Sequence, residues 1–222
     1  MYQRENSLTQ QKDSILSINS VLRNTYLLLS LTLIFSGAMA YFAMVTGAQP
    51  VGPILFLVGA FGLMFLTQTL SHSSWGLLSA FAFTGFMGYT LGPILNLYLQ
   101  AYANGAQLIT TSLFATGVTF LGLSAYVLIS KKDFSYMGGF LTVMGITLMI
   151  GIFLSLFMPA LSILMSMGFV LFASAMIMFQ TSMIINGGER NYIMATISLY
   201  VSIYNLFISL LRILAAFSGR DR

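Results

Sequence analysis

Five polar side chains recur along the last apolar segment of the chain. Ser198, Ser202, Asn205, Ser209 and Arg212 are separated by steps of 4, 3, 4 and 3 residues. Because an α-helix repeats every 3.6 residues, that spacing places all five on one helical face. Hydroxyls and amides in an apolar segment seek hydrogen-bonding partners, so this face is predicted to point into a helix bundle or a hydrated cavity.

Three amides extend this set of polar side chains into other apolar segments. The candidate polar interior consists of Gln68, Asn96, Gln180, Ser198, Ser202, Asn205 and Ser209. Two interpretations stay open for it. The residues form hydrogen bonds between helices, worth about 0.6 kcal/mol each, or they line a polar pathway through the bundle.

Residues able to carry out catalysis or bind a metal are scarce. The only histidine is His72, and there is no cysteine, so neither a thiolate nucleophile nor a cysteine-based metal site can form. The apolar segments contain no carboxylate, which excludes an aspartyl protease of the membrane interior. Ser124, in a Gly-Leu-Ser-Ala run, lacks a histidine within plausible reach. The sequence therefore predicts that the protein is not an enzyme and has no cofactor.

The composition is that of an integral membrane protein. Of the 222 residues, 58% are hydrophobic and only 6% are charged, whereas soluble domains average about 25% charged residues. So few charges cannot cover a water-facing surface.

Seven apolar segments are long enough to cross a bilayer, and each is predicted to be helical because lipid offers no other hydrogen-bonding partner to the backbone. The predicted spans are 26–45, 51–70, 75–99, 106–130, 137–158, 160–185 and 192–217. The polar segment 1–20 lacks a sustained apolar stripe and is predicted to be a flexible cytoplasmic tail. The fold class is therefore an all-α bundle of seven transmembrane helices over residues 21–222.

Small residues mark one face of the third span. Gly85, Gly88, Gly92 and Asn96 lie on that face, and Gly88 and Gly92 form a G-x-x-x-G motif. Such a motif allows a neighbouring helix to approach closely.

Basic residues predict the orientation of the bundle. With the N-terminus in the cytoplasm, six of the nine basic residues fall on the inner side: Arg4, Lys12, Arg23, Lys131, Lys132 and Arg190. The positive-inside rule favours this arrangement. Arg212, Arg220 and Arg222 lie toward the other side, and they leave open a last segment that re-enters instead of crossing.

Two long stretches resemble the Bax inhibitor-1 family, also called the transmembrane Bax-inhibitor-motif family. They are "FLGLSAYVLISKKDFSYMGGFL" (120–141) and "MFQTSMIINGGERNYIMATISLYVSIYNLFISLL" (178–211), and "GYTLGPIL" (88–95) is similar to the family's third span. "VLRNTYLLLSLTL" (21–33) and "INGGERNYI" (185–193) resemble the bacterial YccA branch, whose members modulate the ATP-dependent protease FtsH.

The resemblance implies a seven-helix bundle of the bacterial inner membrane and two candidate activities. One is modulation of FtsH, the implied partner, with residues 1–20 as the segment that the protease engages. The other is a calcium or proton leak that a buried aspartate pair gates in some members. The positions that match those aspartates hold Gln180 and Ser202, which do not titrate near neutral pH. The resemblance therefore favours FtsH modulation.

Overall fold

Over the residues that it describes, the computed structural model contains seven long helices. It describes residues 2–155, 158 and 161–219, with side chains from residue 18 onward except residue 153. The helices are α1 (Tyr2–Val45), α2 (Pro53–Leu70), α3 (Trp75–Ala101), α4 (Gly105–Ser130), α5 (Gly138–Ser155), α6 (Leu161–Ile185) and α7 (Tyr192–Ser218), and a short 3-10 turn over Ser135–Met137 precedes α5. All seven contain a segment long and apolar enough to span a membrane. The all-α, seven-span prediction is confirmed.

Contacts between loops define the two ends of the bundle. At one end, the Asn191 amide donates to the Ser71 carbonyl over 3.1 Å, and the Asn186 amide lies 3.5 Å from Asp133 Oδ1. At the other end, the Asn104 amide donates to the Ser218 hydroxyl over 2.7 Å. We call these the Asn191 end and the Asn104 end. Helix α7 starts at the first and finishes at the second.

The last segment therefore crosses the bundle completely. Its 27 residues form one uninterrupted helix, about 40 Å long at 1.5 Å per residue. A hydrocarbon core is about 30 Å thick. A re-entrant last segment, which the basic C-terminus left open, is inconsistent with this arrangement.

Helix α7 lies at the centre of the bundle and α2 at its edge. Backbone contacts join α7 to α1, α2, α3, α4 and α6. Helix α2, in contrast, buries only Thr67, and its contacts are with α3 and α7. Within the part of the chain that the structure describes, no close backbone contact joins α2 to α6. A groove therefore separates these two helices, and α7 forms its floor.

The glycine face of α3 packs against α1, as the motif predicts. A Cβ atom added at Gly92 would lie 2.6 Å from both the Ala40 carbonyl oxygen and the Ala43 Cβ. A Cβ at Gly88 would overlap the Ser36 carbonyl oxygen. The absence of side chains at these glycines lets the two backbones approach, and the dispersion contacts of that approach stabilise helix pairs in lipid.

The N-terminal segment continues into the first span without a break in the backbone. The backbone is helical from Tyr2 through the predicted tail (1–20) and the predicted span (26–45). No glycine or proline stops the helix between residues 2 and 36. Flexibility of the tail stays a prediction.

Candidate functional site

The polar stripe of α7 lines two adjoining cavities in the groove between α2 and α6. The smaller, about 110 Å³, is bounded by Gln180, Ser198, Ser202 and Asn205, together with apolar side chains of α2 and α6. The larger, about 380 Å³, lies toward the Asn104 end and reaches from Asn205 past Ser209 to Arg212. Because Asn205 lines both cavities, the polar stripe extends from the middle of the bundle to one end.

Gln180 and Ser202 meet across α6 and α7 between the middle of the bundle and the Asn191 end. The Ser202 hydroxyl lies 3.4 Å from Gln180 Oε1 and 3.0 Å from the carbonyl oxygen of Ser198. The hydroxyl carries one proton, so the two oxygens share it as acceptors. Both side chains are buried, and neither is ionisable near neutral pH.

The larger cavity has both apolar and polar lining residues, and the polar ones lie on its walls as well as on its floor. Its polar lining consists of Thr90, Ser155, Ser162, Ser166, Tyr204, Asn205, Ser209 and Arg212. The hydroxyls of Thr90, Ser155 and Ser166 donate to carbonyls of their own helices. Their lone pairs remain able to accept hydrogen bonds from the cavity.

Asn96 and Gln68 lie apart from this stripe. The Asn96 amide donates to the carbonyl oxygen of Met44 over 3.1 Å. The same carbonyl, in the last turn of α1, also accepts a hydrogen bond from the Gly47 backbone amide over 3.3 Å, and the Asn96 side chain joins α3 to the end of α1. Gln68 is exposed on α2. The structure thus brings together Gln180, Ser198, Ser202, Asn205 and Ser209 and separates the other two predicted residues from them.

Tyr200 was absent from the predicted polar interior. Its hydroxyl lies 2.6 Å from the Ser36 hydroxyl on α1 and 3.3 Å from the Thr84 carbonyl on α3, and its side chain is only 1% exposed. One phenol therefore links three helices in the core. Its position on the buried side of α7 was the available signal, because a buried tyrosine hydroxyl usually finds a partner.

A left-handed glycine and hydrogen bonds made by polar side chains of the turn itself shape the connection between α6 and α7. Gly187 has φ +74°, a left-handed conformation that favours glycine. Asn191 then caps α7, since its Oδ1 accepts hydrogen bonds from the backbone amides of Ile193 and Met194. Glu189 accepts from the Asn191 backbone amide over 2.7 Å. The carboxylate therefore shapes the turn.

A second cluster fixes the loop after α4 to the same end of the bundle. The fully buried Ser182 hydroxyl accepts a hydrogen bond from the Phe134 backbone amide over 2.8 Å and another from the Asn186 amide over 3.1 Å. Hydrogen bonds from the backbone and side chain of Ser135, and from Ser182, hold the pKa of Asp133 below its usual value. We call Asp133, Phe134, Ser182 and Asn186 the loop clamp.

The described residues offer no group of three or more acidic, histidine or cysteine side chains that could hold a metal ion. The α7 stripe carries hydroxyls, amides and one guanidinium. Such groups donate and accept hydrogen bonds and attract anions, but they provide no general base near neutral pH.

Comparison with known proteins supplies the family context of this bundle. The sequence model of the family described as "Inhibitor of apoptosis-promoting Bax1" matches residues 18–219. The chain is 52% identical over 222 residues to an uncharacterized protein of Pseudomonas aeruginosa, covering 99% of this chain and 98% of that one. It is 49% identical over 217 residues to the Escherichia coli K12 protein named "Modulator of FtsH protease YccA", covering 97% of this chain and 98% of that one. A protein of Escherichia coli O6:H1 with the same identity and coverage is named "Inner membrane protein YccA".

Proposed function

The chain belongs to the Bax inhibitor-1 family, and we propose that it acts in the bacterial inner membrane as a modulator of the membrane-bound protease FtsH. The observation that carries this proposal is the 49% identity to the Escherichia coli modulator, which extends over 97% of the chain. The seven-span fold supports the proposal, because this chain and the membrane-bound protease FtsH would then reside in the same bilayer. In this proposal the chain regulates a protease and has no catalytic activity of its own.

The proposed mechanism is occupation of the protease. Residues 1–20 supply the segment that FtsH engages on the cytoplasmic side. The sequence of this segment is polar and lacks a sustained apolar stripe, which suits a segment that the protease engages first. Behind the tail, the α1–α3 approach and the loop clamp resist extraction of the bundle. A substrate that unfolds slowly keeps the protease from other substrates.

The proposed orientation places the Asn191 end in the cytoplasm. Arg23, Lys131, Lys132 and Arg190 lie at that end, whereas Arg212 lies at the other. This distribution follows the positive-inside rule. The N-terminal tail and the loop clamp would then face the ATPase side of the protease.

Co-purification tests the proposed partnership. The tagged full-length chain, extracted from native membranes in mild detergent, is expected to retain FtsH. A seven-span membrane protein of unrelated sequence, expressed to the same level, is the control. Retention of equal amounts of FtsH by both would contradict the proposal.

The polar stripe of α7 supports a second candidate function, an ion leak through the groove. Asn205 joins two cavities that extend inward from the Asn104 end. Beyond them, toward the Asn191 end, the fully buried Ile184 and Ile197 lie in the apolar core. A conducting path would have to open this region. Calcium flux into liposomes that contain the purified protein distinguishes this candidate from protease modulation.

A further inference from the structure

The larger cavity has the properties of a ligand site that is separate from protease modulation. Its volume of about 380 Å³ lies within the range of about 300–1,000 Å³ for small-molecule sites. A packed transmembrane helix is about 10 Å across and would not fit. The cavity therefore suits a small molecule.

Two polar side chains of α7 lie on the cavity floor. Asn205 and Ser209 both line the cavity. Ser209 is only 6% exposed. A hydroxyl can donate one hydrogen bond and accept two, and an amide can donate and accept, so both side chains can bond to a ligand in the cavity.

Among the described residues, the charge at the mouth of the cavity is positive. Arg212 lines the cavity near the Asn104 end and is exposed. Asp133 and Glu189, the two carboxylates whose side chains the structure describes, lie at the opposite end of the bundle. A guanidinium at this depth can reach the headgroup level of a bilayer and bind an anion through two parallel hydrogen bonds.

Two phenylalanines form part of the cavity walls. Phe56 of α2 and Phe169 of α6 lie on its two sides, and α2 and α6 make no close backbone contact among the described residues. The groove between them leads toward lipid. An apolar chain can enter from that side while an anionic group stays at Arg212.

We propose that this cavity binds a small single-chain amphiphile whose anionic head pairs with Arg212 and hydrogen-bonds to Ser209 or Asn205. The apolar part lies between Phe56 and Phe169. This inference does not depend on FtsH.

Decyl phosphate is a suitable probe, with decanol and inorganic phosphate as its two halves. The full-length protein is placed in nanodiscs of phosphatidylcholine at neutral pH, and binding of each radiolabelled compound is measured directly. Decyl phosphate is expected to bind saturably and more tightly than either half. Equal binding of decanol would overturn the role of the anion, and equal binding of inorganic phosphate would overturn the role of the apolar chain.

Arg212→Gln removes the charge at the cavity, and Arg190→Gln removes the same charge at the opposite end. Loss of a charge-assisted hydrogen bond is expected to weaken decyl phosphate binding about tenfold or more in R212Q and to leave it unchanged in R190Q. Both arginines are exposed, so both variants should fold, which the thermal unfolding midpoint checks. Equal affinities in the two variants would overturn the site. Ser209→Leu, which fills the floor, is a second variant expected to lose binding.

Discussion

The hydroxyl of Ser202 on α7 lies 3.4 Å from Oε1 of Gln180 on α6, and the family resemblance of the sequence implies a buried aspartate pair at these two positions in some members. Two aspartates so close would share a proton, and repulsion between them would raise the pKa of one. A serine and a glutamine hold the two helices together without a group that titrates near neutral pH.

This pair predicts little calcium leak. Purified protein in liposomes loaded with a calcium indicator is expected to show little flux between about pH 6 and 8, since no acid pair titrates in that window. The double variant Gln180→Asp, Ser202→Asp is expected to gain a pH-dependent flux, while each single variant stays closer to the parent. A robust leak of the parent protein, with a midpoint inside this window, would contradict our interpretation of the pair.

The contact between Gly92 and α1 predicts a large cost for a side chain. Gly92→Leu is expected to lower the free energy of unfolding by about 1–3 kcal/mol or more, because overpacking forces the helices apart. Gly122→Leu is the matched control, since Gly122 is exposed and a Cβ atom added there would have no neighbouring atom within 4 Å. Denaturation in mixed micelles measures both, and equal stability of the two variants would rule out the close approach.

The loop clamp predicts a loss of stability when Ser182 loses its hydroxyl. In Ser182→Ala the buried Phe134 amide is left without its acceptor, which is expected to cost about 1–3 kcal/mol. Thr142→Ala serves as control, because the exposed Thr142 hydroxyl bonds only to its own helix. Hydrogen exchange of the Phe134 amide should accelerate in S182A alone. Unchanged exchange in S182A would mean that the clamp does not hold the loop.

Charge and loop contacts together predict the topology. Reporter fusions after Lys132 and near Glu189 are expected to read as cytoplasmic. Fusions after Asn104 and at the C-terminus are expected to read as external, since Asn104 contacts Ser218. A cytoplasmic C-terminus combined with a cytoplasmic residue 132 would be incompatible with the crossing of α7.

The spacing of polar residues was sufficient to predict which side chains share a helical face, but not which helix that face contacts. The steps between Ser198 and Ser209 placed their side chains on one face, and the structure puts that face along two cavities. Asn96 was grouped with this stripe as a candidate polar residue, but it lies with the glycine face of α3 against the end of α1. Which helix a face meets depends on tertiary packing, and a single sequence does not encode this in its spacing.

The cavities themselves could not be predicted. Their size depends on the distance between α2 and α6, which are far apart in sequence. Tyr200 was missed for a related reason: its hydroxyl bonds to residues of α1 and α3 more than 100 positions away. The helical backbone before residue 20 was missed because that segment is polar and lacks a sustained apolar stripe.

The most direct test of protease modulation is a competition experiment with purified components. FtsH and one of its membrane substrates are reconstituted in liposomes with ATP, and the half-life of that substrate is measured as the present chain is added. A variant lacking residues 2–17 is the matched comparison, because it retains Ile18 and all seven candidate spans. We predict that the full-length chain lengthens the half-life of the substrate in proportion to its amount and that the truncated chain does so much less. An unchanged half-life with the full-length chain would contradict the proposed function, and equal protection by both forms would contradict the role of the tail.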